Sequence, residues 1–149
     1  MTSDYKDLLE ALNAFGVRYL IVGGHAVMKS SEFPFTKELE LWVSTEAANA
    51  NRIYTALQQF GAPLSDYSQS DFEQNNAWFQ IGIGNVRIDI LMSLPEIAFE
   101  EAWSRRVAGQ FIGLGTNFIS RDDLIKYKTA CGRHQDIRDV KRLSKRANR

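Results

Sequence analysis

Apolar residues recur along the chain with two periods, and the switches between them mark the elements. Leu8, Leu9, Leu12 and Phe15 fall at helical spacing, with Ser3 and Asp4 available as N-caps and Gly16 as a natural stop. Residues 18–22 (Arg-Tyr-Leu-Ile-Val) read as a short strand that runs into Gly23-Gly24, and residues 25–29 then suit a helix. The two glycines therefore lie at a strand-to-helix turn. After a loop containing Pro34, residues 36–43 alternate strictly. That pattern predicts a half-buried strand with Leu39, Leu41 and Val43 on one face and Glu38, Glu40 and Trp42 on the other.

Ser44 or Thr45 can cap a helix carrying Ala47, Ala50, Ile53, Tyr54, Leu57 and Phe60, closed by Gly61. Residues 62–76 are polar without a clear period. Residues 77–83 and 86–91 flank Gly84-Asn85, which predicts a hairpin; in its second arm Val86, Ile88 and Ile90 face one way and Arg87, Asp89 and Leu91 the other. Pro95 suits the first turn of a helix holding Ile97, Ala98, Phe99, Ala102 and Trp103. A glycine-rich strand or hairpin is expected over residues 109–119. Ser120-Arg121-Asp122-Asp123 has the form of a capping box with Asp in the usual Glu position, opening a helix through Leu124, Ile125, Tyr127 and Lys128 to Gly132. A last helix is expected over residues 135–147. With no repeat, no low-complexity linker and no boundary, the pattern predicts one α+β domain over residues 1–149: a mixed β-sheet flanked by helices, with a C-terminal helical element.

Composition narrows the class. Of 149 residues 44% are hydrophobic and 24% charged, enough apolar material for one core and too much for a disordered or collagen-like chain. No run of about 18 apolar residues is present, and the first residues lack a basic stretch followed by an apolar one, so no membrane partner is expected. Cys131 is the only cysteine, which excludes an internal disulfide and a multi-cysteine zinc site and makes the cytoplasm the expected compartment. The 18 basic and 18 acidic residues balance but are not evenly spread. Between Arg138 and Arg149 there are six basic residues against Asp139 alone, leaving a net charge of about −5 on the rest. Such a tail suits either the negative end of a helix dipole or a surface for phosphate or nucleic acid.

Three features have a shared chemical use. A turn without side chains lets backbone N–H groups approach a polyphosphate, and a following helix presents its positive end to the same anion. Glu38 and Glu40, at positions i and i+2 of a strand, project from one face with Cα atoms about 6.5–7 Å apart and can converge on shared cations. Asp89, on a later strand, can complete that site or act as a base. Each part also has a plain structural use: the glycines as a turn, the glutamates as a strand's wet face, and Asp89 as a partner for Arg87 or for a cross-strand residue.

At these residues the chain resembles the nucleotidyltransferase superfamily with the DNA polymerase beta-like catalytic fold. It looks most like minimal nucleotidyltransferases and the toxin components of abortive-infection toxin-antitoxin pairs. The segments that carry the resemblance are Tyr19-Leu-Ile-Val-Gly-Gly-His-Ala-Val27, Thr36-Lys-Glu-Leu-Glu-Leu-Trp-Val43, Val86-Arg-Ile-Asp-Ile-Leu91 and Lys128-Thr-Ala-Cys-Gly-Arg-His-Gln-Asp-Ile-Arg-Asp139. The resemblance implies that Gly23 and Gly24 form a nucleotide phosphate loop, with Lys37 near the phosphates, and that Glu38, Glu40 and Asp89 are the metal-binding and catalytic carboxylates. It places Lys128, Arg133, Asp136 and Asp139 in a C-terminal element beside the cleft, Lys128 and Arg133 toward nucleotide; a solvated, salt-bridged helix pair is the alternative for all four.

The expected activity is transfer of a nucleoside monophosphate from a nucleoside triphosphate, with Mg2+ or Mn2+, to a hydroxyl acceptor such as RNA or protein. One departure stands out, because the family pattern has Asp-x-Asp where this chain has Glu38-Leu39-Glu40. The alternative expectation is therefore a catalytically impaired module that binds nucleotide, RNA or a partner. His25 suits packing or capping better than a phosphate contact, and neither His25 nor His134 has zinc-ligand neighbours. Cys131 suits a small semi-buried side chain. Trp42, Trp78 and Trp103 are expected mainly in packing, with Trp42 on the glutamate face and able to border a base or acceptor.

Overall fold

The strictly alternating segment becomes an interior strand because both of its faces find cover. The computed structural model describes residues 2–23, 38–75, 77–83, 86–111, 113–132 and 140. Six strands, β1 (Tyr19–Gly23), β2 (Glu38–Val43), β3 (Trp78–Ile83), β4 (Val86–Leu91), β5 (Val107–Phe111) and β6 (Leu114–Phe118), form one mixed sheet in the order β3-β4-β2-β1-β6-β5. β2 runs antiparallel to β1 and parallel to β4, and β1 runs parallel to β6. The two outer pairs, β3/β4 and β5/β6, are hairpins.

One face of the sheet is apolar across β1, β2, β4 and β3. Register aligns Ile21, Leu41, Ile90 and Phe79 across four strands, with Leu39, Ile88 and Ile81 in a parallel row, and all seven are buried. Helices α1 (Thr2–Ala14) and α2 (Ala47–Phe60) pack together over this side. Phe72, from the 3-10 turn Gln69–Glu73, links Tyr54 of α2 to Phe79 by edge-on ring contacts. Toward β6, Thr116 donates to the Tyr19 hydroxyl, which donates to Asn13 of α1, each at 2.8 Å. Burial raises the Tyr19 pKa, and the Thr116 bond opposes that shift.

The expected helix ends at Gly16, Gly61 and Gly132 are all present, each glycine at positive φ as a left-handed stop requires. Three local expectations are corrected. Neither Ser44 nor Thr45 is the N-cap of α2: the cap position is Glu46, without a side-chain cap bond, and the Ser44 hydroxyl accepts from the Glu46 N–H at 3.4 Å. Pro95 does not open a helix but sits in the turn bridged by Leu94 and Ile97, where Glu96 has φ 71°, and α3 begins later, as Phe99–Ser104. Proline followed by a residue at positive φ is the signature of a type II turn, so the rigid ring is used for reversal instead of helix entry.

The third correction concerns the capping box of α4 (Arg121–Cys131), of which half is formed. Ser120 Oγ accepts from the Asp123 N–H at 3.1 Å, but the Asp123 carboxylate is taken by Arg105, at the end of α3, through two 3.0 Å bonds. That bidentate pair ties α4 to α3.

The second face changes character along the strands. Trp42, expected on a half-wet face, is 1% exposed, because Phe99 of α3 meets its ring edge-on with centroids 5.2 Å apart. Phe99 stacks in turn on Trp103. Trp78 departs from the packing expectation in the opposite sense: it stands on edge strand β3 and is 56% exposed.

Candidate functional site

Backbone register assembles the acidic constellation. Gly23 pairs with Glu40, Glu40 with Asp89, and Asp89 with Gln80, so these four positions form one row across β1, β2, β4 and β3. Neighbouring strands lie about 4.8 Å apart. Glu40 and Asp89 are therefore adjacent on one face, and Gly23, the last residue of β1, is one strand further. The register between Ile21 and Gly23 is irregular, so β1 leaves regular pairing at its end. The next row pairs Glu38 with Arg87. Gly24, His25, Lys37, Arg133, His134, Asp136, Asp139 and the basic tail lie outside the described residues, as do the helices expected at residues 25–29 and 135–147.

Asp89 is 4% exposed, and a buried carboxylate requires polar partners. Gln80 Nε2 donates to Oδ1 at 3.0 Å, and Arg87 Nε stands 3.5 Å from Oδ2. Both of the structural partners expected for Asp89, its strand neighbour and a cross-strand residue, are present together. Glu40 is half-buried beside it. Among the described residues no group of three or more His, Cys, Asp and Glu is placed to hold a metal ion. The Glu40–Asp89 pair still fits the hard oxygen donors that magnesium takes, because that ion is usually bound by one or two carboxylates completed by substrate phosphates and water.

Lys128 does not lie on a solvated helix face, since it is 3% exposed, with Nζ 5.5 Å from the centre of the Tyr127 ring. Cys131 is half-buried, as its small side chain suggested.

Past the C-terminal ends of the parallel pair β2 and β4 opens a cavity of about 390 Å³. Its apolar lining includes Trp42, Met92, Ile97 and Phe99, and its polar lining includes Ser44 and Ser93. Sequence reasoning placed Trp42 here but missed Phe99, which it read as ordinary helix core. Arg18 fixes the outer wall: it pairs with Glu46 at 3.4 Å and with Glu100 at 2.5 Å, and its guanidinium lies over the rings of Phe99 and Trp103. The hydrogen bond from Arg18 is the main reason the Glu100 pKa falls below the usual glutamate range. Gln80 was missed too, although a two-residue turn at Gly84-Asn85 puts residue 83 opposite 86 and therefore 80 opposite 89, the pairing observed.

No family model and no curated protein matches the sequence. Among solved structures, the chain is similar to an antigenic nucleotidyltransferase-like protein from Paracoccidioides brasiliensis, with a TM-score of 0.55 and 15% identity over 94% of this chain and 74% of that one. The fold is thus nucleotidyltransferase-like: a six-stranded mixed sheet flanked by helices. Among the described residues no helix is long and apolar enough to cross a membrane.

Proposed function

We propose that the chain binds a nucleoside triphosphate together with Mg2+ or Mn2+ on the Glu40–Asp89 face, and transfers the nucleoside monophosphate to a hydroxyl acceptor, whose oxygen bonds to the α-phosphorus as pyrophosphate leaves. The observation that carries this reading is the pairing of Glu40 with Asp89 on adjacent parallel strands of a nucleotidyltransferase-like sheet, in the row that ends at Gly23. Glu40 and Asp89, with Glu38 in the next row, would hold the cation; Gly23, Gly24 and Lys37 would receive the phosphates, with Lys128 and Arg133 nearby. A divalent cation bound there supplies charge neutralisation for the triphosphate and eases ionisation of the acceptor hydroxyl. Asp89, held by Gln80 through Oδ1, would turn Oδ2, which now faces Arg87, to the cation or to the acceptor proton.

A second reading is a binding module that has lost turnover. It is favoured by the extra methylene at positions 38 and 40, which displaces each carboxylate by up to about 1.5 Å, where about 1 Å costs on the order of a hundredfold in rate. The test is incubation with each labelled nucleoside triphosphate and Mg2+ or Mn2+, offering RNA and protein acceptors, for the wild type and the Glu38→Asp, Glu40→Asp double variant. Transfer by the wild type supports the enzyme. Transfer only by the variant supports a lost activity, and absence of binding as well as transfer in both removes the proposal.

A further inference from the structure

The outer edge of β3 lacks the features that usually keep a sheet edge from pairing. Residues 74–86, which contain the whole strand, carry no charge and no proline in a chain of which 24% is charged, and no bulge breaks the β3/β4 register. The other edge strand, β5, follows directly on Arg105 and Arg106. Two exposed aromatics flank β3: Trp78, 56% exposed, on the carboxylate face, and Tyr67, 41% exposed, edge-on to Phe79 on the opposite face.

Backbone phase decides which residues face outward. The Met92 N–H donates to the Ala77 C=O at 3.3 Å, so these two form a hydrogen-bonded pair just beyond the strands. Antiparallel pairs alternate, so Phe79 and Ile81 also turn their N–H and C=O groups toward β4, whereas Trp78, Gln80 and Gly82 turn theirs away from it. Among the described residues no strand pairs with that side. The three outward residues are symmetric about Gln80, with the largest side chain at one end and none at the other.

We infer that a second copy of this chain pairs with β3, antiparallel to it, about a two-fold axis at Gln80. Trp78 then exchanges backbone hydrogen bonds with the partner's Gly82, and Gln80 with its own counterpart, so every outward N–H and C=O from residue 78 to residue 82 finds a partner. Each indole lies over an exposed glycine, whose lack of a side chain leaves room for the ring. Because the strand is uncharged, self-pairing sets no like charges opposite each other. The product is one continuous sheet in which the two carboxylate rows open on the same face and meet end to end at Gln80. The pairing stands whether or not that face binds nucleotide.

Analytical ultracentrifugation of the full chain is expected to show a reversible monomer–dimer equilibrium. Gly82→Pro removes an outward N–H and leaves the β3/β4 ladder intact, so it should raise the dissociation constant about a hundredfold. Trp78→Ser should raise it about tenfold. In the wild type, amide exchange at Trp78, Gln80 and Gly82 should slow as protein concentration rises, a readout that depends on no variant. A chain that stays monomeric and leaves this edge to a different partner would overturn the inference. So would a dimer unmoved by both substitutions, or one in which the three β3 amides exchange as fast as in the monomer.

Discussion

The two faces of the sheet follow different rules. The face under α1 and α2 is apolar in every row from Ile21 to Phe79, and its residues are chosen for volume. The opposite face carries Glu40, Asp89 and Gln80 in one row and Trp42 with Leu91 in the next, so a single strand passes from carboxylate to buried indole within two residues. One face pays for the fold; the other spends part of that stability on burying a carboxylate. A buried, paired charge contributes little net stability, so the fold alone gives no reason for a carboxylate at position 89.

That contrast predicts separable losses. The largest is expected at Asp89→Asn, which keeps shape and removes charge: nucleotide transfer should fall by about 10²–10³-fold, while the denaturation midpoint moves by no more than about 1 kcal/mol equivalent. Kinetics and urea denaturation on one preparation check both halves. Leu41→Ala should do the reverse, costing about 2–5 kcal/mol in chemical denaturation, with nucleotide affinity of the folded fraction unchanged. Equal damage to both properties by either variant would erase the distinction between the faces.

Smaller effects sharpen it. Trp42 is 1% exposed and its Nε1 has no hydrogen-bond partner among the described residues, so Trp42→Phe removes a donor unsatisfied there along with ring volume. The two partly offset, and a loss of only about 1 kcal/mol is expected by thermal or chemical unfolding. A loss of several kcal/mol would mean that the indole N–H is satisfied in solution.

The smallest effect belongs to Glu100, whose pKa is lowered in the folded state first by its hydrogen bond from Arg18. A lowered folded pKa means that its contribution is present above the unfolded glutamate pKa and is lost as pH falls through the folded value. Glu100→Gln should therefore flatten the acid side of the stability profile slightly and leave neutral pH nearly untouched, because the side chain is 59% exposed. Parallel unfolding curves between neutral pH and mild acid would show it.

Periodicity made most of the fold legible. Apolar runs, alternation and hairpin signals anticipated β1 to β4, β5 begins two residues before the expected 109–119 segment, and the α+β class followed from those elements. Its failures share a cause: a local pattern reports which residues can face a core, and tertiary cover decides which do. Trp42 was read with the glutamates as part of a half-wet face, yet Phe99 arrives from 57 residues away to bury it. Pro95 fits two local structures equally well, and the Leu94–Ile97 bridge selected the turn. Asp123 was legible as a cap but not as the partner of Arg105, since nothing in spacing announces an ion pair across 18 residues. For the candidate site, strand alternation put Glu40 and Asp89 on strand faces but could not show that β2 and β4 are parallel neighbours with those two residues paired.

The most direct measurement is a crystal structure grown with Mn2+ and a non-hydrolysable nucleoside triphosphate, read by the anomalous signal of the ion. The expected result is a Mn2+ peak about 2.1 Å from carboxylate oxygens of both Glu40 and Asp89 and shared with a phosphate oxygen. Nucleotide bound elsewhere, or a Mn2+ peak that touches neither carboxylate, would contradict the assignment of this face as the site.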